Sequence, residues 1–283
     1  MNFMRLEYYI PTIRLRPFIK LYAFYSIEKE RKVSPIKFIP MGLPYVVFNL
    51  EDGFSIDKSN LDKIIPTDGS IITGQQVNYY YLIPIGNLTS LSVIFEPAGL
   101  YRLLHVPVHE LIDYGYPAED VIRDKLKPLY DNLLAKNDDI ASLISSLNAF
   151  FLSQLEKSNN RYGYIEYALN CICKTHGLIS ISCLRDSINT SDRTFRRRFL
   201  ECVGISCKTY INLVRLNHIM NAVRHQQPLN INWCRVACSS GYYDQMHFIK
   251  SFKNFCGENP TNFITRYNDP THALEKYFLL ASE

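Results

Sequence analysis

A pair of phenylalanines one helical turn apart occurs twice near the C-terminal end of this 283-residue chain. Phe195 and Phe199 return as Phe248 and Phe252, so that each phenylalanine lies 53 residues before its counterpart. Two apolar residues four positions apart share one face of a helix, and that face is normally buried. The repeat therefore predicts two similar helical units, each built around its own small core.

The first unit, residues 179–199, is typical of two short helices joined by a tight turn. Leu184 faces inward from the first helix, which Ser180 or Ser182 can cap. Ser191 follows the turn, and its side-chain oxygen can accept a free backbone N–H at the start of the second helix. This pattern indicates a helix-turn-helix arrangement.

Three arginines share the outer face of that second helix. With Phe195 buried, the side chains of Arg193, Arg196 and Arg197 are expected to project outward. The guanidinium group fits both guanine edges and phosphate oxygens. An ordinary surface helix with a solvated basic face has the same pattern, so the arginines alone leave both interpretations open.

The second unit, residues 230–255, repeats the arrangement. Asn230 or Asn232 can cap its first helix, and Gly241 can supply the positive φ angle of the turn. Asp244 can cap the helix that carries the second phenylalanine pair. The duplication makes a chance arrangement much less probable than it would be for one unit alone.

Residues 209–226, between the two units, predict one amphipathic helix about 27 Å long. Its apolar stripe consists of Leu213, Leu216, Ile219, Met220 and Val223. Major-groove faces recur about every 34–36 Å along one side of B-DNA. A helix of this length is therefore suited to hold two reading units about that far apart.

Residues 18–95 contain short segments rich in β-branched and aromatic residues, separated by Pro, Gly, Asn and Asp. No helical pattern intervenes, which favours an antiparallel sheet rolled into a barrel or sandwich. From Leu100 the pattern becomes helical, with a clear apolar stripe between Ile140 and Phe151. We therefore expect an α+β N-terminal domain and an all-α C-terminal domain in which a long helix joins two helix-turn-helix units.

The polar residues 156–160 form the predicted linker between these domains. The predicted boundaries are 1–157 for the β-rich domain with its trailing helices, 161–268 for the helical domain, and 269–283 for a C-terminal tail. Within the β-rich domain, side chains alternate along a strand, so alternate rings among Tyr79, Tyr80 and Tyr81 are expected to point into the sheet domain. The inward rings line a ligand pocket, or else two rings point outward from an ordinary strand or an oligomer contact.

The positive charge is concentrated in the C-terminal part. Residues 1–160 contain 16 Lys and Arg against 18 Asp and Glu, whereas residues 161–283 contain 15 against 9. Such a distribution either indicates a polyanionic partner at one end or arises by chance. The overall net charge of +4 is too small to decide between these interpretations.

Other sequence features concern compartment and chemistry. No apolar run approaches the roughly 18 residues that span a bilayer, and the first twenty residues lack a signal-peptide core. We therefore expect a cytoplasmic protein without a membrane partner. All eight cysteines follow residue 170 without the paired spacing of a zinc site, so they are interpreted as small apolar core residues. No metal and no cofactor are expected.

The second unit resembles the signature of the AraC/XylS family of bacterial regulators. The matching residues are Gly241-Tyr242, Asp244-Gln245, Phe248, Phe252-Lys253, Gly257 and Pro260. The first unit fits the family spacing at Ser191, Arg193, Phe195, Phe199, Gly204, Ser206, Tyr210 and Arg215-Leu216. The resemblance covers roughly residues 175–266.

Two positions of the first unit depart from the family pattern. Arg185 stands where the family usually has a small alanine, and Cys207 replaces a customary proline. Because Arg185 lies near the predicted contact between the two helices, it points either to looser packing of the first unit or to an unusual contact with DNA.

The resemblance implies that two recognition helices, about 191–201 and 244–255, enter successive major grooves of double-stranded DNA. Gln245 suits adenine, Lys250 suits guanine or phosphate, and the apolar side chains beside them contact at most thymine methyl groups. His247 either touches phosphate or is a plain surface histidine. By position, the predicted DNA-binding residues are Ser191, Arg193, Thr194, Arg196, Arg197, Asp244, Gln245, Met246, His247, Ile249 and Lys250.

The N-terminal part resembles an uncharacterised β-rich domain often fused to such DNA-binding heads. The matching segments are Phe38-Ile39-Pro40, Thr73-Gly74 and Phe95 to Gly99. The family uses this domain, frequently cupin-like, to bind a small-molecule effector or to form a homodimer. The resemblance also implies RNA polymerase as a partner, and helices within 100–157 are the predicted self-association surface. Nothing in the sequence identifies the effector.

Residue types argue against an enzyme. DNA-repair domains fused to such heads need a zinc-held nucleophilic cysteine, and no cysteine precedes Cys171. A cupin-type metal enzyme needs a histidine cluster, and the N-terminal half contains only His105 and His109. The remaining alternative is a ligand or protein sensor with degenerate DNA-binding heads, an interpretation that the apolar Met246 and Ile249 favour.

Overall fold

The computed structural model confirms the predicted fold class, an N-terminal sheet domain with trailing helices followed by a helical domain. The residues that it describes are 4–27, 35–58, 63–67, 69–113, 115–136, 139–158, 163–224, 226–227 and 230–268. The predicted tail 269–283 and residues 159–160 of the predicted linker lie outside these residues, whereas Glu156 and Lys157 belong to a helix. We call the described residues up to 158 the N-terminal lobe.

Ten strands form two antiparallel sheets in the described part of the lobe. The strands are β1 (Met4–Tyr9), β2 (Ile19–Ile27), β3 (Ile36–Phe38), β4 (Tyr45–Asn49), β5 (Phe54–Lys58), β6 (Lys63–Thr67), β7 (Ser70–Thr73), β8 (Tyr80–Pro84), β9 (Leu88–Phe95) and β10 (Gly115–Pro117). The first sheet has the order β1-β2-β9-β4-β7-β10, and the second has the order β3-β8-β5-β6.

The first sheet is covered on both faces. One face shares a buried cluster with the second sheet, in which Tyr25 and Val47 meet Phe54 and Leu82. The other face packs against the lobe helices. Because β9 lies inside this sheet, all eight of its residues are buried, including the polar Thr89, Ser90 and Ser92. Strand β1 was not predicted, because it is an edge strand that carries Arg5 and Glu7.

Ten helices complete the described structure. They are α1 (Gly99–Leu104), α2 (Ala118–Leu134), α3 (Ile140–Lys157), α4 (Gly163–Lys174), α5 (Ile181–Asp186), α6 (Asp192–Val203), α7 (Cys207–Val223), α8 (Trp233–Ser239), α9 (Gln245–Cys256) and α10 (Pro260–Asn268), with a 3₁₀ turn at Val108–Leu111. None of the helices in the described residues is long and apolar enough to cross a membrane.

The long helix begins and ends earlier than predicted. Gly204 ends α6, and the Ser206 hydroxyl accepts the Thr209 N–H at 3.1 Å, so α7 starts at once with Cys207. Its 17 residues span about 25 Å. The proline missing at position 207 is thus replaced by a buried cysteine at the first helical position.

The interpretation of all eight cysteines as core residues is wrong for half of them. Cys202, Cys207 and Cys256 are buried and Cys171 is half-buried, but Cys173, Cys183, Cys234 and Cys238 are exposed. These four lie on the outer sides of α4, α5 and α8, where the helix period and not the residue type decides burial. Within the described residues, no group of three His, Cys, Asp or Glu side chains is arranged to hold a metal.

The lobe and the first helix-turn-helix unit share one continuous core. Val93 and Phe95 of β9 belong to the same buried cluster as Phe195, Phe199 and the first half of α7. The 3₁₀ turn packs directly on α6, with Val108 against Gly204. The first unit is therefore fixed to the lobe by apolar burial, although the sequence suggests two separable domains.

The second unit has a core of its own and meets the lobe through a smaller contact. Tyr79 of the lobe lies against Gly257 at the end of α9, where a Cβ atom would collide with the ring. Lys37 of β3 forms a buried ion pair with Glu258 at 2.8 Å, and Arg266 contacts the same carboxylate at 2.7 Å. Tyr79 thus faces the second unit and not solvent, as the predicted alternation with the buried Tyr80 requires.

We expect Phe199→Ala to lower the free energy of unfolding by about 3–5 kcal/mol, because it leaves a cavity in a core shared by lobe and first unit. Leu200→Ala is the matched control on the exposed side of the same helix, and its effect should be about 0.5 kcal/mol or less. Urea unfolding measures both. Similar losses in the two variants would contradict a core at Phe199.

The Glu258 ion pairs make part of the stability dependent on pH. Burial raises the pKa of Glu258, but hydrogen bonds from Arg266 and Lys37 outweigh burial and hold the pKa below the usual glutamate value. A lowered folded-state pKa stabilises the protein above the unfolded pKa, and this stabilisation is lost as pH falls through the folded pKa. Wild type should therefore exceed Glu258→Gln in stability near pH 7, and the difference should shrink below about pH 4.

Urea unfolding across pH 3–7 tests this dependence. Glu156→Gln removes an exposed carboxylate and serves as the control for a change of charge alone. A wild-type advantage over Glu258→Gln that stays constant across this range would contradict a charged Glu258 at the contact.

Candidate nucleic-acid interface

Both helices of the first unit begin at the predicted type of cap. The Ser180 hydroxyl accepts the Cys183 N–H at 3.1 Å, which settles the choice between the two candidate serines. The Ser191 hydroxyl accepts the Thr194 N–H at 3.2 Å and starts α6. These bonds satisfy backbone N–H donors that a helix start otherwise leaves without a partner, so the local sequence fixes where each helix of the unit begins.

The second unit is capped in the same way. Its first helix is capped by Asn232, which accepts the Arg235 N–H at 3.0 Å. Gly241 has a φ angle of 72° in the turn, and the Asp244 carboxylate accepts the His247 N–H at 2.7 Å. The Asp244 charge at the positive end of α9 adds a favourable interaction with the helix dipole.

Each unit buries its phenylalanine pair and presents the opposite helix face to solvent. On α6 the side chains of Arg193, Arg196 and Arg197 are exposed, with Thr194 half-buried beside them. Arg196 also forms an ion pair with Asp192 at 3.0 Å, one turn earlier on the same helix. The structure therefore brings the three arginines to one accessible surface.

The outer face of α9 has a different character. Met246 is 74% exposed, and His247 and Lys250 are exposed next to it. Gln245 and Ile249 are half-buried on the same side. This face carries one formal positive charge from Lys250, so the basic surface lies mainly on the first unit.

Arg185 does not enter the contact between the two helices of the first unit. Its guanidinium group lies at the surface and forms an ion pair with Asp192 at 3.4 Å. Leu184 and Ile188 fill the contact instead and are 0% and 7% exposed. The long side chain is thus accommodated outside the core.

Sequence reasoning missed two residues near this surface. Tyr243 is 91% exposed immediately before the cap of α9, where its ring has no place in the core. Its position between the buried Tyr242 and the capping Asp244 was the available signal. Arg198 follows the basic row but is half-buried and bound to Glu201 at 2.7 Å, where the Tyr101 hydroxyl of the lobe also donates.

Two family models match the chain. Residues 184–266 match a helix-turn-helix domain, and residues 7–117 match a domain of unknown function (DUF6597). The first match begins within α5 and contains both α6 and α9. The second contains nine of the ten described strands in full and reaches the tenth, β1, partway along it.

One curated relative is the Msm operon regulatory protein of Streptococcus mutans serotype c (strain ATCC 700610 / UA159). It is 25% identical over 123 residues, which make up 43% of this chain and 43% of that protein. The chain therefore matches less than half of the length of this relative.

Solved structures of ToxT from Vibrio cholerae are among those to which this chain is similar. A 1.65 Å structure is 13% identical with a TM-score of 0.45, covering 86% of this chain and 97% of that chain. A structure of ToxT from strain O395 is 14% identical with a TM-score of 0.44, covering 88% and 98%. Wild-type ToxT from strain SCE256, bound to an unsaturated fatty acid, is 14% identical with a TM-score of 0.42, covering 86% and 94%.

Four observations therefore agree on the C-terminal part. The second helix of each helix-turn-helix unit begins at an equivalent side-chain cap, and both units bury equivalent phenylalanine pairs. Residues 241–260 carry the residue pattern described above for the second unit, and the matched helix-turn-helix model reaches both units. On these grounds, residues 184–266 form a helix-turn-helix domain whose residue pattern resembles that of the AraC/XylS family of regulators.

Proposed function

We propose that this chain regulates transcription by binding a specific DNA sequence, with α6 and α9 in successive major grooves. The observation that carries the proposal is the repetition of a capped helix with a buried phenylalanine pair and an accessible opposite face. The α7 helix, about 25 Å long, connects the two units and suits the separation of neighbouring grooves on one side of DNA.

The two faces support different kinds of contact. The arginines of α6 can form forked hydrogen bonds with guanine or ion pairs with phosphate. On α9, Gln245 can bracket adenine, Lys250 can reach guanine or phosphate, and Met246 can contact a thymine methyl group. We therefore propose that the first unit supplies most of the electrostatic attraction and that the second adds contacts with little charge.

A sensor with degenerate DNA-binding heads is the second candidate, and the exposed apolar side chain of Met246 on the α9 face favours it. Salt dependence separates the two functions. A DNA-binding regulator releases counterions, so its affinity should fall steeply as salt rises. A degenerate sensor should bind every duplex weakly even at low salt.

Arg197→Ala is expected to weaken specific DNA binding by about 1–3 kcal/mol and to relax preference at one base pair, because a forked guanidinium contact is lost. Arg14→Ala is the matched control, since it removes the same charge from an exposed position of the lobe. Binding of sites selected from random DNA measures both effects. Equal loss on selected and random duplexes would show that Arg197 contacts only phosphate.

The lobe has a pocket between its two sheets that we propose as the effector site. Phe38 and Tyr80 from the second sheet and Tyr45 and Ile94 from the first are among its mostly apolar lining. Tyr80 stacks on Phe38 at 5.0 Å, and the hydroxyl groups of Tyr45 and Tyr80 are hydrogen-bonded to each other. Burial raises the pKa of Tyr45 to about 12, so its hydroxyl stays neutral and can bind a polar group of a ligand.

The enclosed volume is about 40 Å³, much smaller than the roughly 150 Å³ cavity that accommodates benzene. An effector therefore has to be small or has to push the two sheets apart. Uncharged, largely apolar molecules fit this lining best, because an ion would lose its hydration without a charged partner. Self-association through the 100–157 helices and contact with RNA polymerase are further proposals that follow from the resemblance to the AraC/XylS family.

We expect an effector found by screening for changed DNA affinity to lose its effect in Leu82→Trp, because the larger ring fills the pocket. Ile85→Trp, on an exposed position just beyond the same strand, is the matched control and should respond as wild type does. A crystal structure with the effector shows the site directly. An effector bound away from Tyr80 would contradict the pocket.

A further inference from the structure

One side chain joins the two helix-turn-helix units at the middle of α7. The Arg215 guanidinium donates through Nη2 to the Gly177 carbonyl at 2.7 Å, in the loop that leads into the first unit. Through Nη1 it donates to the Gly241 carbonyl at 3.3 Å, in the turn of the second unit. A single planar cation thus bonds to both halves of the helical domain.

The two acceptor carbonyls are available because both glycines adopt left-handed backbone conformations, with φ angles of 74° and 72°. A Cβ atom on Gly177 would lie 2.6 Å from the Ile211 carbonyl oxygen of α7. A Cβ atom on Gly241 would lie 3.1 Å from the Leu178 side chain. The loop before the first unit therefore lies against the turn of the second unit, and Arg215 contacts both.

The guanidinium group is also held by the second unit's core. It lies 5.5 Å from the centre of the Tyr242 ring, which packs edge-on against Phe248 at 5.3 Å. One turn further along α7, His218 stacks on His176 at 3.9 Å, so the same loop is held at a second point. The cation–π contact and the two hydrogen bonds leave the guanidinium little freedom.

Core packing divides at this point of α7. The first half of α7, through Leu213, belongs to the cluster shared with the lobe and the first unit. The second half, from Leu216 onward, belongs to the cluster of the second unit, to which the lobe adds Ile39. Arg215 stands at the boundary between the clusters, where its hydrogen bonds add a directional restraint that apolar burial does not provide.

We propose that Arg215 is a positioning residue that sets the orientation of α9 relative to α6, and thereby the spacing between the two DNA half-sites. The inference rests on the proposed function for its DNA consequence. Arg215 itself need not touch DNA. Its effect is to make one arrangement of the two reading helices much more stable than the others.

The test uses the full chain and duplexes that carry two half-sites selected from random DNA, with centres separated by 9 to 13 base pairs. Wild type should prefer one spacing, near the roughly 10 base pairs of a helical turn. Arg215→Met keeps the aliphatic stem but removes both hydrogen bonds. It should bind about tenfold more weakly at the preferred spacing while its preference among spacings nearly disappears.

Lys208→Met is the matched control, because it removes one positive charge from an exposed position of the same helix. It should keep the wild-type preference, whatever its overall affinity. Arg215→Lys retains the charge but donates from a single nitrogen, so it should keep a partial preference. If Arg215→Met fails to fold, the lysine variant still decides the question. Retention of the full wild-type preference in a folded Arg215 variant, or equal loss at all spacings, would overturn the proposal.

A measurement without DNA separates this proposal from the proposed function. Hydrogen exchange of residues 176–179 and 240–243 should accelerate in Arg215→Met, whereas exchange within α6 should not change. If wild type binds no duplex but this acceleration occurs, the DNA function fails and the junction is supported. Unchanged exchange in both segments would overturn the role of Arg215.

Discussion

Burial of one phenylalanine pair in each unit is the constraint on which the reading surface depends. Once Phe195 and Phe199 enter the core, the 3.6-residue period turns the side chains of Arg193, Arg196 and Arg197 outward. The same burial of Phe248 and Phe252 turns Met246 and Lys250 outward on α9. A hydrophobic requirement therefore decides which polar groups are available for recognition, before any DNA contact exists.

The two units are held in unequal ways. The first shares a continuous apolar core with the lobe, whereas the second meets the lobe mainly through Tyr79 and the Lys37–Glu258 ion pair. Apolar burial is non-directional and large, while a buried ion pair depends on accurate geometry and contributes little net stability. Lobe and first unit are accordingly expected to behave as one body, whereas the second unit meets the lobe through a smaller contact that combines the buried Ile39 with the ion pair.

Local signals in the sequence were sufficient for most of the helical domain. Caps such as Ser191 and Asp244 bind a backbone N–H only three residues away, so they could be predicted. The spacing of the repeated phenylalanines indicates the buried face of each helix, so that face could be predicted as well. The side chains that join the units could not be predicted. The role of Arg215 becomes visible only in the folded chain, where the carbonyls of Gly177 and Gly241 lie close enough to accept its hydrogen bonds. Exposed cysteines such as Cys183 were misjudged for a related reason, since burial follows the helix face and not the residue.

The lobe contacts both reading helices at the same structural position. Val108 lies against Gly204 after α6, and Tyr79 lies against Gly257 after α9, so the contacts repeat with the 53-residue spacing of the units. These glycines end their helices, whereas the residues that we propose to contact DNA lie in the first halves of the same helices. The lobe therefore leaves the faces that we propose to contact DNA open.

The wall of the pocket that contains Phe38 and Tyr80 also carries Lys37 and Tyr79 on its reverse side. A ligand that displaces this wall would change how the second reading helix is held, and so would act on the orientation of the helices and not by covering them.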